Sequence, residues 1–494
     1  MSKNLTSEKH PCLGRILFCV VVGLVIYFFM PAFNGLTPLG VKYLSVFIPV
    51  VISWLVIGGT PWASLIGVTL MAMLGVWDGN ELYSMQWGTA LVAMVIPFFM
   101  LAYVLEQSGA IEWFVKWLIS RKIVHGRPKI FMIIFAASLI LVNAFVHPFV
   151  AVVLYFKILK QIAQDIGEGE DSGFYTSGGI LIGWISQFAD GTLIWMRPWL
   201  VSMCAVIAGY GFDGFNISVF IKVSFIYILF LTAVVLCIIF FLIKPDLSKL
   251  KNFDDAAMRA ELTAHPMNKT AKIAFGAMGV VLVANIIATL SFFGPVSTYF
   301  AALPYAAPVT LVVAILAIIY VEGGPIVKIG EAAKHVPWES VIFLGTIMVF
   351  ASTFNAEQFG IAEMLKNSLA PLVQGIPFTA SLFLGLFGTC LFTNVASNSV
   401  AVIVGGACFI PALLSMPGVD EARILAFGAC IILAAGTAIA TRSACGVMAL
   451  TYTDIHLIWT KKILFYAVLT CIIGMLFCIF VLVPFGSTVL AGAI

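Results

Sequence analysis

Two arginines interrupt otherwise apolar stretches, Arg197 in ISQFADGTLIWMRPW (residues 185–199) and Arg442 in LAAGTAIATRSACG (433–446). A charged side chain at the bilayer centre costs about 2.5–3.5 kcal/mol on insertion scales, so a pair of them calls for a compensating anion. The planar fork of arginine suits bidentate binding of carboxylate, sulfonate or phosphate. Two such forks could clamp both ends of a dianion, or one strongly acidic head group. For Arg197 a second reading stands beside this one, an ion pair with Asp190 earlier in the same stretch. No acidic residue lies near Arg442.

Two more polar interruptions precede these, LVNAFVHPFVAVV (141–153) and LFTNVASNSVAVIV (391–404). The second gathers Thr393, Asn394, Ser397, Asn398 and Ser399. Hydroxyl, amide and carbonyl oxygens at a broken helix suit a hard cation without adding full negative charge. The first offers the amide of Asn143 and the run His147-Pro148-Phe149, in which proline has no donor and phenylalanine no oxygen. Histidine is the side chain that can change charge near neutral pH, which singles out His147, and Asp190 is a costly carboxylate within a span. Together they could couple transport to protons, the alternative for His147 being a hydrogen-bonded packing residue. Small polar residues also pack helices in lipid, which explains an isolated serine better than it explains this cluster.

The elements that hold these groups are helices in a membrane. Of 494 residues 62% are hydrophobic and 10% charged, and mean hydropathy is +1.10, too few polar side chains to cover a soluble globule. Apolar runs of the roughly 20 residues that span a bilayer recur from about Gly14 to Phe485, giving an all-α polytopic membrane protein of about 11 transmembrane helices, some broken. The first run is read as a retained helix, not a cleaved signal. The net charge of +3 gives no reason to expect nucleic acid, and the ten cysteines form no CxxC pair, as reduced packing residues would. Neither HExxH nor Gly-x-Ser-x-Gly occurs, which leaves an intramembrane enzyme as a remote alternative.

The halves on either side of the polar stretch 244–272 resemble each other. Trp87 and Trp338 are 338 − 87 = 251 positions apart, and the same offset relates Glu106 to Glu357, Gln107 to Gln358, Gly109 to Gly360 and Glu112 to Glu363. The segment before Trp87 is acidic, WDGNELYSMQ, whereas that before Trp338 carries Lys328, Lys334 and His335. By the positive-inside rule these equivalent points face opposite sides, as in an inverted-topology transporter with its site near the midplane. The expected division is residues 1–39 as cytoplasmic N-terminus and first helix, 40–243 as first repeat, 244–272 as cytoplasmic linker and 273–494 as second repeat. Glu106 and Glu357 sit in repeated E-Q-x-G turns and read as helix-ending features. Trp195 and Trp199 flank Arg197, so one of them is a candidate cavity residue.

Taken with the order of the motifs, Thr393 to Ser399 resembles the second hairpin tip of the divalent anion:sodium symporters of the ion transporter superfamily. That family has a Ser-Asn-Thr motif at the tip of a re-entrant hairpin in each half, each followed by an unwound helix with a Thr-Pro-Pro-like turn. Here Ser399 replaces the threonine, His147-Pro148-Phe149 departs at the first tip, and Met196-Arg197-Pro198 and Thr441-Arg442-Ser443 depart at the turns. The resemblance implies that Thr393, Ala396, Asn398 and Ala440 hold a sodium ion, and that Ser397, Asn398 and Ser399 touch the substrate. Asn143, His147, Arg197, Thr441 and Arg442 complete the candidate anion site. It further implies a homodimeric elevator-type symporter in a bacterial inner membrane, N-terminus inside, importing a dicarboxylate, tricarboxylate, sulfate or sulfonate. A cation/proton antiporter of the same superfamily, working through Asp190 and His147, is the alternative; the arginine pair would repel its cargo.

Overall fold

A computed structural model of the chain describes residues 13–493 apart from 58–59, 122, 125, 145–147, 192–197, 213, 253–254, 290–293, 304–305, 322, 362, 365–366, 369–375, 395–397, 417, 442–443, 450 and 453–459. The fold is all-α. Among the described residues the only sheet is a two-residue ribbon, Tyr320–Val321 antiparallel to Gly324–Pro325. Among the described residues three stretches, Gly79–Gln107, Val219–Ile243 and Lys461–Val489, are long and apolar enough to cross a membrane, and eight shorter apolar helices accompany them. The protein is a polytopic membrane protein.

Local chemistry sets the helix boundaries. Thr37, Asp78, Ser172, Asp420 and Thr460 each accept a backbone N–H in the first turn of the following helix, satisfying donors that have no intrahelical partner. Pro38 and Pro128 stand at first helical positions, where a missing N–H costs nothing. Both E-Q-x-G turns end in a left-handed glycine, Gly109 at φ 71° and Gly360 at φ 65°, while Glu106 and Glu357 are exposed. The polar stretch 244–272 is itself partly helical, with Asp255–Ala264 inside it and the next long helix starting at Lys269.

Two helical hairpins and two central helices position the candidate site. The first hairpin joins Pro128–Asn143 to Pro148–Asp165, and the second joins Phe378–Thr393 to Asn398–Leu414. Each packs around a central helix, Gly173–Asp190 in the first half and Glu421–Gly436 in the second. Both central helices are buried along nearly their whole length; a helix apolar all round belongs inside a bundle. Behind them Ile217–Cys237 and Lys461–Phe477 meet, with the rings of Phe230 and Phe477 stacked at 3.7 Å.

The remaining helices interleave the two halves. Tyr43 donates to Phe350 O (3.2 Å), Trp77 Nε1 to Thr353 Oγ1 (2.7 Å) and Thr37 Oγ1 to Gln358 O (2.8 Å). Tyr43, Phe47, Trp54, Phe350 and Phe359 form an aromatic cluster around these bonds, and such pairs add about 0.5–1.5 kcal/mol each beyond the area they bury. The nine described cysteines carry no disulfide.

Candidate functional site

The second central helix ends at Gly436, and residues 437–441 continue without helix. A helix end leaves carbonyls without intrahelical partners, and lipid supplies no replacement. Here five consecutive carbonyls are met by side chains from elsewhere in the chain. Thr393 Oγ1 lies 2.8 Å from Ala435 O, Gln187 Nε2 donates to Gly436 O at 3.3 Å, and Asn394 Nδ2 to Thr437 O at 3.3 Å. Cys445 Sγ lies 3.7 Å from Ala438 O, and the Tyr452 hydroxyl donates to Ile439 O at 3.0 Å. Tyr452 is itself held by Trp184 Nε1 at 2.7 Å. The break is therefore a built feature with its backbone polarity satisfied.

Asn394 is the pivot between hairpin tip and break. Its amide also donates to Cys390 O (2.8 Å), its Oδ1 accepts from Ala440 N (2.7 Å), and its carbonyl accepts from the Thr441 hydroxyl. Beside it, Thr393 Oγ1 is 2.9 Å from Asn398 Oδ1 as well as 2.8 Å from Ala435 O. Three oxygens thus meet around a single hydroxyl proton, the donor set a hard cation would choose. Thr393 is fully buried and Asn398 half-buried.

Among the described residues the first half has the same frame with fewer oxygens. Asn143 Nδ2 donates to Leu139 O (2.9 Å) and Ser186 Oγ (3.1 Å). Asn143 and Asn394 are 251 positions apart, as are Leu139 and Cys390, and Ser186 and Thr437. At that offset Val142 stands for Thr393 and His147 for Asn398. The first central helix runs on past Ser186 to Asp190, which is half-buried, and there Gly191 crosses the end of its counterpart. A Cβ on Gly191 would sit 2.7 Å from Gly436 Cα, and one on Gly436 3.0 Å from Gly191 Cα. Only two glycines allow this approach. Gln187 ties the crossing, accepting from Cys445 Sγ at 2.8 Å while its amide holds Gly436 O.

A family model described as citrate transporter matches residues 47–432. The chain belongs to the citrate transporter family. Membership makes it a membrane-embedded secondary transporter of citrate-type anions. No curated protein matches the sequence significantly.

In this citrate transporter family member, Thr393, Asn398, Ala440 and Thr441 come together around Asn394. Ser399 is buried in the first turn of the second tip helix. Asn143 and Asp190 lie on the first-half elements, Asn143 bonded to the central helix that Asp190 ends. His147, Arg197, Ala396, Ser397 and Arg442 lie outside the described residues, as does Trp195. Counted along the chain, Arg197 and Arg442 each follow their crossing glycine by six positions. Trp199 is half-buried, and its indole N–H has no hydrogen-bond partner among the described residues. Sequence reasoning missed Gln187, Cys445 and Tyr452 as the groups that cap the break. Gln187 sat within a quoted polar interruption, but nothing local pointed it at Gly436.

Proposed function

We propose that the transporter imports citrate or a related di- or tricarboxylate by sodium symport, in the manner of the divalent anion:sodium symporters it resembles. Sulfate and sulfonates share the charge pattern and are the competing cargoes. The observation that carries this reading is the oxygen cluster of Thr393, Ala435 and Asn398 at the capped break, with Arg442 seven positions after Ala435 in the sequence. A sodium ion, as co-transported cargo, would be held by Thr393 Oγ1, Asn398 Oδ1 and backbone oxygens of the tip and of Ala440. Without it, the Asn398 amide can turn its Nδ2 toward Thr393 Oγ1, so that hydrogen bonds alone satisfy the cluster. Loaded and empty states would then differ by one amide rotation.

The anion would lie between the tips, against Ser397 to Ser399 and the two guanidiniums. Six residues of extended chain reach at most about 20 Å, which bounds the distance of each arginine from the crossing where both segments start. Two guanidiniums and one sodium supply three positive charges, the complement of fully ionised citrate. The indole donor of Trp199, without a hydrogen-bond partner among the described residues, is two positions from Arg197 and would offer a further contact. Val142 and His147 leave the first tip without the second tip's oxygens, so it adds no second sodium site of this kind; proton coupling there would run through His147 and Asp190. The transporting elements would be the hairpins and central helices, moving as an elevator against a homodimeric scaffold in a bacterial inner membrane with the N-terminus inside.

The test is citrate uptake into proteoliposomes, with sodium or choline outside and at two pH values. Uptake is expected to need sodium and to be competed by dicarboxylates; sodium-independent uptake sinks the symport reading. Arg197→Gln and Arg442→Gln are each expected to reduce uptake more than tenfold, about 1.4 kcal/mol or more of lost anion binding. Normal transport by both variants overturns the clamp.

A further inference from the structure

Away from the breaks, a cavity of about 680 Å³ opens between the short helix Ala110–Ile119, the basic loop that follows it and the helix Asp255–Ala264 of the central polar stretch. Its described lining includes two arginines, two tryptophans and no carboxylate. Arg121 lies 3.4 Å over the Trp117 ring, held in place by cation–π contact,. Arg259 Nη1 donates to Ser120 O at 3.3 Å, covering a helix-end carbonyl that would otherwise repel an anion. The indole N–H of Trp113 is buried with no hydrogen-bond partner among the described residues. Trp117 is 36% exposed and Ile123 55% exposed, and Arg121 is exposed beside them, so apolar and cationic groups share the mouth.

We propose that this cavity binds the headgroup of an acidic phospholipid, with Arg121 and Arg259 on the phosphate. A soluble phosphate would need the same cations, but it would gain nothing from a mouth of indole and isoleucine. Tryptophans mark the membrane–water interface, and basic pockets beside spans bind anionic headgroups. The short helix carrying the tryptophans directly follows the span Gly79–Gln107, which puts the cavity at headgroup level. Lipid bound here would clasp the central polar stretch to the first half. The inference is independent of which anion is transported.

The full-length protein in neutral detergent is titrated with phosphatidylglycerol and phosphatidylcholine of equal chain length, and the first bound lipid is read by native mass spectrometry. At about 1 kcal/mol per surface arginine, each arginine is expected to favour the acidic lipid roughly fivefold. Arg121→Gln alone should cost one such factor, and adding Arg259→Gln should bring the two lipids to parity. If the double variant misfolds, Arg121→Gln still decides the matter, because Arg121 is exposed. Equal binding of both lipids by the wild type, or an unchanged preference in Arg121→Gln, overturns the proposal. So does displacement of the lipid by inorganic phosphate at similar concentration, which would make this a soluble-anion site.

Discussion

Asn143 and Asn394 occupy the same place in the two halves, and both turn their amide back onto the carbonyl four residues earlier. From there the halves part. Asn394 reaches across to Thr437 O and Ala440 N on unwound backbone, whereas Asn143 reaches the Ser186 hydroxyl on a helix that continues to Asp190. A helix that breaks five residues sooner exposes carbonyls, and exposed carbonyls can be shared between caps and a cation. Under the proposed sodium symport, early breakage, with Thr393 in place of valine, would separate a tip that binds sodium from one that lacks the same oxygens. The two halves share a frame at the 251-residue offset, and on the proposed reading a few residues would decide which of them carries ion chemistry.

The sharpest way to break this comparison is to remove both amides. Asn394→Ala leaves Ala440 N–H without its acceptor and removes a donor from Thr437 O; at about 1–3 kcal/mol per buried unsatisfied group, a loss of roughly 3 kcal/mol and near-complete loss of uptake are expected. Among its described bonds, Asn143→Ala strips a second donor from Leu139 O and one from the Ser186 hydroxyl, with about 1 kcal/mol expected. Thermal unfolding in detergent and uptake measured on the same preparations check both. Equal losses would mean that the breaks do equal work.

A smaller effect sharpens the comparison toward the ion. Thr393→Val removes one oxygen at nearly constant shape and is expected to raise the sodium concentration for half-maximal uptake about tenfold, or 1.4 kcal/mol. The reciprocal Val142→Thr should leave that concentration within about twofold, since one hydroxyl beside His147 does not recreate the cluster. Sodium titrations of uptake distinguish them; a shift of similar size in Val142→Thr would place the ion at the first tip.

These pairs also show what could be read from the chain alone. Asn143, Thr393 and Asn398 announced themselves because polar groups in apolar runs are costly, and the 251-residue offset aligned the halves before any coordinates. The E-Q-x-G turns were legible as helix-ending features, and the structure adds that both of their glycines take φ near 70°, where only glycine is unstrained. What local pattern does not encode is which carbonyl a distant donor caps. Gln187 and Gly436 are 249 positions apart, Trp184 and Tyr452 268. The crossing at Gly191 and Gly436 was illegible for the same reason: two glycines in glycine-rich membrane helices carry no mark of each other.

Cys445 gives a third, milder reading of the same crossing. It is half-buried and bonded to Gln187, so a ligand settling against the break should cover it. With the exposed Cys237 and Cys408 replaced by serine, modification of Cys445 by a small thiol reagent is expected to slow roughly sixfold at citrate concentrations near five times the Kd for citrate. Labelling rates followed by peptide mass spectrometry measure this. Protection without effect from citrate, but with effect from sodium, would place the anion on the first half alone.

The smallest effects are expected at the repeated glutamates, and they test the frame itself. Glu106 and Glu357 are both exposed at the start of a turn whose geometry is set by Gly109 and Gly360. Neither carboxylate is within a helix break, and surface substitutions of this kind stay within about 0.5 kcal/mol. Glu106→Gln and Glu357→Gln should therefore melt like the wild type and transport within about twofold. The glycines behave differently although their backbones match. A Cβ on Gly109 meets nothing within 4 Å, whereas one on Gly360 runs into the Gly35 carbonyl. Alanine at 109 carries only the left-handed strain of about 1–2 kcal/mol, and alanine at 360 adds a backbone clash with the segment before Pro38. A large transport defect in either glutamate variant, at unchanged stability, would move the carboxylates from helix-ending features into the transport cycle.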